Sequence, residues 1–341
     1  MPSFNLCFLG FGNVNRTLVE LLTLKTADLR NHHNIEWKIT GIASRSLGWH
    51  ANPNGWDPKA LSNATARDLP PPTQPLRDLH SWLQAAQPDV VFEATSLNVK
   101  TGQPAITHIR AALEAGAHAI TANKGPIVHA YRELRDLAAR HHKQFLFEST
   151  VMDGIPIFSM FRNTLPAIEV KGFRGILNST TNVILTGMEQ GLTFDDALKH
   201  AQSLGIAETD ASYDIDGWDA AVKVAALVNV VMDVPLRPHE VAREGIRALT
   251  GDQVRAARLA GTPYKLLCHA ERTPAGARAR VSPEKIPLSD PFALVSGTSS
   301  IVRFETDIFP GLTITETDPG LYATAYGMLA DFIRAAGSPR G

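Results

Sequence analysis

The chain of 341 residues has only two cysteines, Cys7 and Cys268, far apart and each in apolar surroundings. With no CxxC pair and no cluster of metal-ligating side chains, a disulfide framework and a structural zinc site both find no support. Long apolar runs are lacking as well, since no stretch reaches the length that spans a bilayer. Met1 to Gly12 carry no basic segment of the kind that opens a secretory signal. Neither sign of charge predominates: 33 Lys and Arg stand against 34 Asp and Glu, a formal net charge of −1. That balance gives no reason to expect nucleic acid or an anionic membrane as partner. Histidines are scattered, and the pairs His32-His33 and His141-His142 sit in polar contexts that read as surface. The expected compartment is the cytoplasm. A hydrophobic content of 44% with 20% charge describes a globular protein, and the length suits two domains.

The first half alternates between strand and helix. Phe4 to Leu9 is a wholly apolar run, as expected of a strand covered on both faces. Gly10-Phe11-Gly12-Asn13-Val14-Asn15 follows at once, then a helical pattern through Val14, Leu18, Leu21 and Leu22. Strand, glycine turn and helix together form the setting of a dinucleotide fingerprint. Gly10 permits the tight turn, and Gly12 lets the backbone approach a pyrophosphate at the helix N-terminus. Asn15 stands where a third glycine would be. A second strand, Glu36 to Ala43, ends in Ser44-Arg45-Ser46. An arginine there, with no acidic residue, accommodates a 2′-phosphate and favours NADP over NAD. Asn52 to Pro75 reads as an irregular connection with at most one helical turn. Strands at Asp89–Glu93, His118–Thr121 and Gln144–Phe147 then alternate with helices at Pro104–Ala115 and Tyr131–His142. This order implies a doubly wound parallel sheet that binds its ligand beyond the strand C-termini. The turns there are Ala94-Thr95-Ser96, Ala122-Asn123-Lys124-Gly125-Pro126 and Ser149-Thr150, with Lys124 expected beside the nicotinamide.

The second half carries the most informative segment, Gly205 to Lys223. It packs Glu208, Asp210, Asp214, Asp216 and Asp219 into twelve residues ahead of a single lysine. After Gly217 a helix from Trp218 to about Met232 is apolar on nearly every face, yet holds Asp219 and Lys223 at i, i+4. Buried charges are paired or put to use. A structural ion pair and a working acid/base lysine oriented by Asp219 both satisfy that rule. Upstream, the hydroxyl-rich stretch Asn178 to Asn182 reads as a turn whose donors suit a carboxylate, and Leu192 to Ser203 as an amphipathic helix. Phe292–Val295 and Ile301–Glu305 read as strands.

Five ordered segments resemble homoserine dehydrogenase: Gly-Phe-Gly-Asn-Val (10–14), Thr-Ala-Asn-Lys-Gly-Pro (121–126), Gly-Ile-Leu-Asn-Ser-Thr-Thr-Asn (175–182), Ala-Gln-Ser-Leu-Gly-Ile-Ala-Glu-Thr-Asp (201–210) and Asp-Gly-Trp-Asp-Ala-Ala-Val-Lys (216–223). The resemblance implies NAD(P)-dependent interconversion of L-homoserine and L-aspartate 4-semialdehyde, a step of threonine and methionine biosynthesis, in a homodimer. It implies an α/β fold: a Rossmann-type dinucleotide domain at 1–150, and an α+β catalytic and dimerisation domain at 151–320. The closing helix 321–336 is expected to return to the first domain. It further implies Lys223, Asp219 and Lys124 as catalytic residues, with Glu208, Asp214, Ser179 and Thr180 around the substrate. Gly10, Gly12, Asn13, Val14, Arg45, Thr95, Ser96, Asn123, Lys124 and Gly320 fall at the cofactor. Glu148, with the carbonyls of Val151, Asp153 and Ile155, falls where the family holds a monovalent cation, Na⁺ or K⁺. Asn15 and the stretch Val-Met-Asp-Gly (151–154) depart from the family pattern, and of the family's C-terminal cofactor turn only Gly320 carries over. A lysine titrates near 10.4 in water, so proton exchange at Lys223 requires that burial and Lys124 outweigh Asp219; the net direction stays open. The remaining readings are a dehydrogenase of another amino-acid aldehyde or alcohol, and a non-catalytic NADP sensor.

Overall fold

The computed structural model describes residues 1–61, 65, 68–69 and 76–337. The chain divides into two compact units, 1–159 with 320–341, and 160–319. The first unit is built on β1 (Ser3–Leu9), β2 (Glu36–Ser44), β3 (Gly48–Trp56), β4 (Val90–Glu93), β5 (His118–Thr121) and β6 (Phe145–Leu146), in the sheet order β3-β2-β1-β4-β5-β6. All pairings are parallel except that of β3, which runs antiparallel along β2. The main helices are α1 (Asn13–Leu24), α2 (Leu79–Ala86), α3 (Ala105–Glu114) and α4 (Lys124–Arg140).

Period-2 alternation in β1 sorts its side chains. Phe4, Leu6 and Phe8 face one way, into a core shared with α1 and the closing helix Leu321–Ala336. Phe332 of that helix meets the Phe4 ring at 5.6 Å and the Phe92 ring at 6.1 Å. Each such buried ring contributes about 1.5–3 kcal/mol. Cys7 points to the opposite face, and burial pushes its thiol up to about 12. There Gly41 has to be glycine, because a Cβ would lie 2.6 Å from Cys7 Sγ and 2.8 Å from the Trp82 ring of α2.

Two parts of this unit differ from the sequence expectation. The connection expected from Asn52 begins inside β3, and its stretches 62–64, 66–67 and 70–75 lie outside the described residues. Polar Asn52 and Asn54 are tolerated because β3 is an edge strand, open on one side. Helix α2 has no counterpart in the sequence reading. Asp78 caps it, accepting the Ser81 N–H at 2.8 Å, and the Trp82 indole donates to the His50 carbonyl at 2.8 Å.

The second unit holds β7 (Val170–Ile176), β8 (Ala242–Arg243), β9 (Tyr264–Thr273), β10 (Gly276–Lys285), β11 (Ser300–Thr306) and β12 (Leu312–Glu316), in the order β12-β11-β7-β9-β10-β8. Only β8 pairs in parallel, with β10. The helices α5 (Ser179–Glu189), α6 (Phe194–Ser203), α7 (Trp218–Val231) and α8 (Gly251–Leu259) accompany this sheet, with α5 and α7 packed on its central strands. Phe292 to Val295, expected as a strand, is instead a 3-10 turn at Pro291–Leu294. Pro291 has no N–H to give a ladder, and Asp290 accepts the Phe292 N–H at 3.0 Å to cap the turn. The hydroxyl-rich stretch at 178–182 is likewise no turn. Asn178 is the N-cap of α5, and the hydroxyls occupy its first helical positions. Among the described residues no helix is long and apolar enough to cross a membrane.

Candidate functional site

Most of the candidate residues gather at one place in each unit. In the first they lie at the C-terminal ends of β1, β4 and β5. Gly10 adopts φ +81°, and a Cβ there would lie 2.5 Å from the Ala94 carbonyl oxygen, so the turn after β1 abuts the turn after β4. Gly12, the N-cap of α1, has nothing within 4 Å of its Cβ position, no side chain caps the helix, and its first turn holds no acid. Amides at such an N-terminus are open to an anion. Asn15 is buried where the fingerprint has glycine. Its side chain donates to the Gly10 carbonyl at 2.8 Å, pinning the glycine turn from behind. Asn13 and Val14 form the first residues of α1, and Gly320, also with open space at its Cβ position, is the N-cap of the closing helix.

The turns after β4 and β5 are tied by Glu93, a residue the sequence reading used only as the end of a strand. Its carboxylate has no solvent exposure. One oxygen accepts the Thr95 N–H at 2.9 Å and the Thr95 hydroxyl; the other accepts the Thr121 hydroxyl at 2.6 Å. Asn123 extends the network, donating to the Thr95 carbonyl at 3.0 Å and accepting the Gly125 N–H at 2.9 Å. That second bond caps α4, so Lys124 is the first residue of a helix rather than the end of a strand. Arg45 follows β2 on the surface, with a guanidinium nitrogen 3.5 Å from Ser96 Oγ.

In the second unit Asn178, Asp214, Asp219 and Lys223 form one cluster. The Lys223 ammonium donates to the Leu177 carbonyl at 2.6 Å and meets Asp219 Oδ2 at 3.2 Å. Both side chains are largely enclosed, with 16% and 13% exposure. The two nitrogen-bound protons of the Asn178 amide go to separate carboxylates, Asp214 Oδ1 at 2.7 Å and Asp219 Oδ2 at 3.0 Å. Burial holds Asp214 above the usual carboxylate range, and the neighbouring Asp219 charge adds to this. Hydrogen bonds from Asn178 and Thr180, and the Lys223 charge, act in the opposite direction. Tyr213 lies in the same field, its phenol pushed upward first by burial and then by Asp219 and Asp214. The Ser179 hydroxyl donates to the Thr298 carbonyl at 3.0 Å, while the one proton of the Thr180 hydroxyl is shared between Asp214 and the Ile206 carbonyl at 3.2 Å. Glu208 is not drawn into the cluster and lies exposed on the loop that follows α6. Asp216 turns away to Arg247 at 2.9 Å.

Of the residues expected around a cation, Glu148 and the Ile155 carbonyl are engaged within the first unit, as is the Asp153 side chain. Glu148 accepts the amides of Phe158 at 2.6 Å and Ser159 at 2.8 Å, one on each oxygen, and burial raises its pKa. The Ile155 carbonyl accepts the Ile157 amide at 2.8 Å, and the Asp153 carboxylate accepts the Thr324 hydroxyl. Both Glu148 oxygens are thus already occupied by amide donors, which makes the carboxylate a poor fit to a cation. Among the described residues no group of three or more His, Cys, Asp or Glu side chains is arranged for a metal.

Two residues of these networks that the sequence reading did not single out leave a trace in sequence. Asn178, directly before a helical run, has the signature of an N-cap. Glu93 is an acid closing an apolar parallel strand, where an unpaired charge would be costly. Tyr213 leaves none, because a tyrosine beside an acidic loop reads as surface.

A parallel sheet ending in a glycine turn, and a lysine enclosed against a carboxylate, are the parts of a nicotinamide-dependent oxidoreductase. Residues 10–148 match the NAD-binding domain of homoserine dehydrogenase and residues 156–333 its homoserine dehydrogenase domain. The NAD(+)-dependent homoserine dehydrogenase of Pseudomonas canavaninivorans is 34% identical over 339 residues, covering 98% of this chain and 96% of its own. That of Methanocaldococcus jannaschii is 32% identical over 342 residues, with 98% and 99% covered. Among solved structures, a homoserine dehydrogenase from Thiobacillus denitrificans superposes with a TM-score of 0.83 at 29% identity, over 98% of this chain and 74% of that one. A hyperthermophilic archaeal homoserine dehydrogenase mutant in complex with NADPH does so at 0.82 and 28%, covering 98% of each. The chain belongs to the homoserine dehydrogenase family, and is an NAD(P)-dependent oxidoreductase acting on CH–OH.

Proposed function

We propose that Lys223 is the acid/base and electrostatic group of this dehydrogenase and that Asp219 orients it. The supporting observation is the enclosed ammonium, aimed by Asp219 at 3.2 Å and the Leu177 carbonyl at 2.6 Å. Nicotinamide, when bound, supplies or accepts the hydride. Lys223 holds the proton that the substrate's terminal oxygen loses on oxidation and regains on reduction, and stabilises negative charge on that oxygen. Glu208 and Asp214 take the substrate ammonium, while Ser179 and Thr180 line the substrate. Lys124 is a further catalytic residue on the family likeness. Gly10, Gly12, Asn13 and Val14 hold the pyrophosphate, and Thr95, Ser96, Asn123 and Gly320 border the rest of the cofactor. Lys223→Ala is expected to lower kcat by about 1000-fold or more while NADPH affinity stays within twofold. A near-normal kcat would refute the assignment.

NADP is the preferred cofactor on this reading, with NAD accepted, because Arg45 directly follows β2, where the 2′-phosphate is read. Steady-state assays with homoserine should show the NADP/NAD ratio of kcat/KM falling at least tenfold in Arg45→Asp. An unchanged ratio would remove Arg45 from the site. The same assays with and without Na⁺ or K⁺ test a monovalent cation, and sedimentation tests a homodimer, both of which rest on the family likeness.

A further inference from the structure

We propose that Asn178 is a positioning residue for the reaction: one amide holds Asp214 and Asp219 side by side as carboxylates, and so fixes the direction of Lys223. The inference rests on the role of Lys223 proposed above.

The geometry leaves the amide one orientation. Its oxygen accepts the Thr181 N–H and the Thr181 hydroxyl, both at 2.8 Å, so its nitrogen must face the two carboxylates. The side chain is buried and cannot exchange these bonds for water. Asp219 Oδ2 is shared between Asn178 at 3.0 Å and Lys223 at 3.2 Å. Leu177, the residue before Asn178, supplies the other acceptor of the ammonium. One N-cap thereby sets where Lys223 points, through Asp219 on α7 and through the backbone at the end of β7.

Two buried carboxylates sharing a neighbourhood normally favour having one of them neutral. Asp214 is indeed raised, and the hydrogen bond from Asn178 is the largest influence that opposes this. The other groups facing the cluster are Thr180, the Tyr213 phenol, and the Cys268 thiol on β9, which burial pushes up to about 12. None of these three is a cation. Removing the amide takes away the largest of the contacts that favour an ionised Asp214 and leaves more of that task to Thr180 and Lys223. Protonation of either weakens the ammonium's orientation or the hold on substrate.

Asn178→Ser keeps a capping oxygen for the Thr181 N–H and removes both carboxylate contacts. Asn178→Asp keeps the cap and adds a third carboxylate. With homoserine and NADP, kcat for Asn178→Ser is expected to fall about 10- to 100-fold, with the acid limb of its pH profile displaced upward. Asn178→Asp should displace that limb further. NADPH affinity, read by fluorescence, should stay within twofold in both. A wild-type acid limb with kcat within threefold in Asn178→Ser, while Lys223→Ala is inactive, overturns the positioning role and leaves the lysine assignment standing. An active Lys223→Ala overturns the lysine assignment instead. If neither Asn178 variant folds, Asp214→Asn reads the bridge from its other end. An acid limb that moves down in that variant supports the inference, and one that stays in place overturns it.

Discussion

A carboxylate with no exposure exists only by virtue of the donors turned towards it, which makes Glu93 the residue on which the nucleotide half depends. Three donors from Thr95 and Thr121 converge on it, and Asn123 relays the same arrangement to the cap above Lys124. Glu93→Gln keeps the shape but turns an NH₂ group towards hydroxyls that need an acceptor. Leaving one buried donor unsatisfied costs about 1–3 kcal/mol, and the turns after β4 and β5 lose their common anchor. The cofactor KM should rise about tenfold or more, with a much smaller change in homoserine KM. Titration of NADPH into the variant measures this directly; an unchanged Kd would show that Glu93 serves folding alone. Asn15 illustrates the converse. It breaks the glycine fingerprint in sequence, yet its bond to the Gly10 carbonyl at 2.8 Å supports the same turn.

At the scale of elements, what could be read in advance is what burial dictates. β1, α7 and the closing helix are apolar over enough residues that period and length leave little choice, and their bounds in sequence and structure agree within about a residue or two. The elements that escaped have their pattern set by something other than a buried face. β3 is a polar edge strand held by its ladder to β2. The hairpin of β9 and β10 carries Lys265, Arg278 and Arg280 among its apolar positions, so alternation is masked. Lys265 is itself 1% exposed, paired with Glu189 of α5 at 3.8 Å, a partner that hydropathy does not reveal. In the candidate site the same division holds. Asp219 and Lys223 announce themselves as charges on an apolar helix. Asn178 announces itself only as an N-cap, because its other hydrogen bonds run to residues 36 and 41 positions away.

For the whole molecule, buried acids make stability and activity respond to pH in opposite senses. Glu148, Glu189 and Asp214 lie on different elements, and in each burial is the leading cause of a raised pKa. Between the ordinary carboxylate value of about 4 and these raised values, the three acids bind more protons in the native state than in the unfolded chain, while His269, held low by burial, acts in the opposite sense below its ordinary value. Stability therefore falls as pH rises through that window and is gained as pH drops into it from neutrality. Below the ordinary value the sign reverses. Asp68, Asp78 and Asp210 are held low by hydrogen bonds from Thr65, Ser81 and Ser212, and protonating them removes those bonds, including the cap of α2. The thermal midpoint should thus pass through a maximum on the acid side of neutrality, between about pH 4 and 7. If Asp214 takes the substrate ammonium as proposed, turnover should decline as pH falls through its raised pKa. Calorimetric scans at half-unit intervals, set beside kcat/KM at the same pH values, measure both curves. Asp214→Asn should flatten its share of the stability rise, since an amide has no proton to take up. A midpoint that declines steadily from pH 7 downwards in the wild-type chain would mean that the depressed surface acids outweigh the buried three.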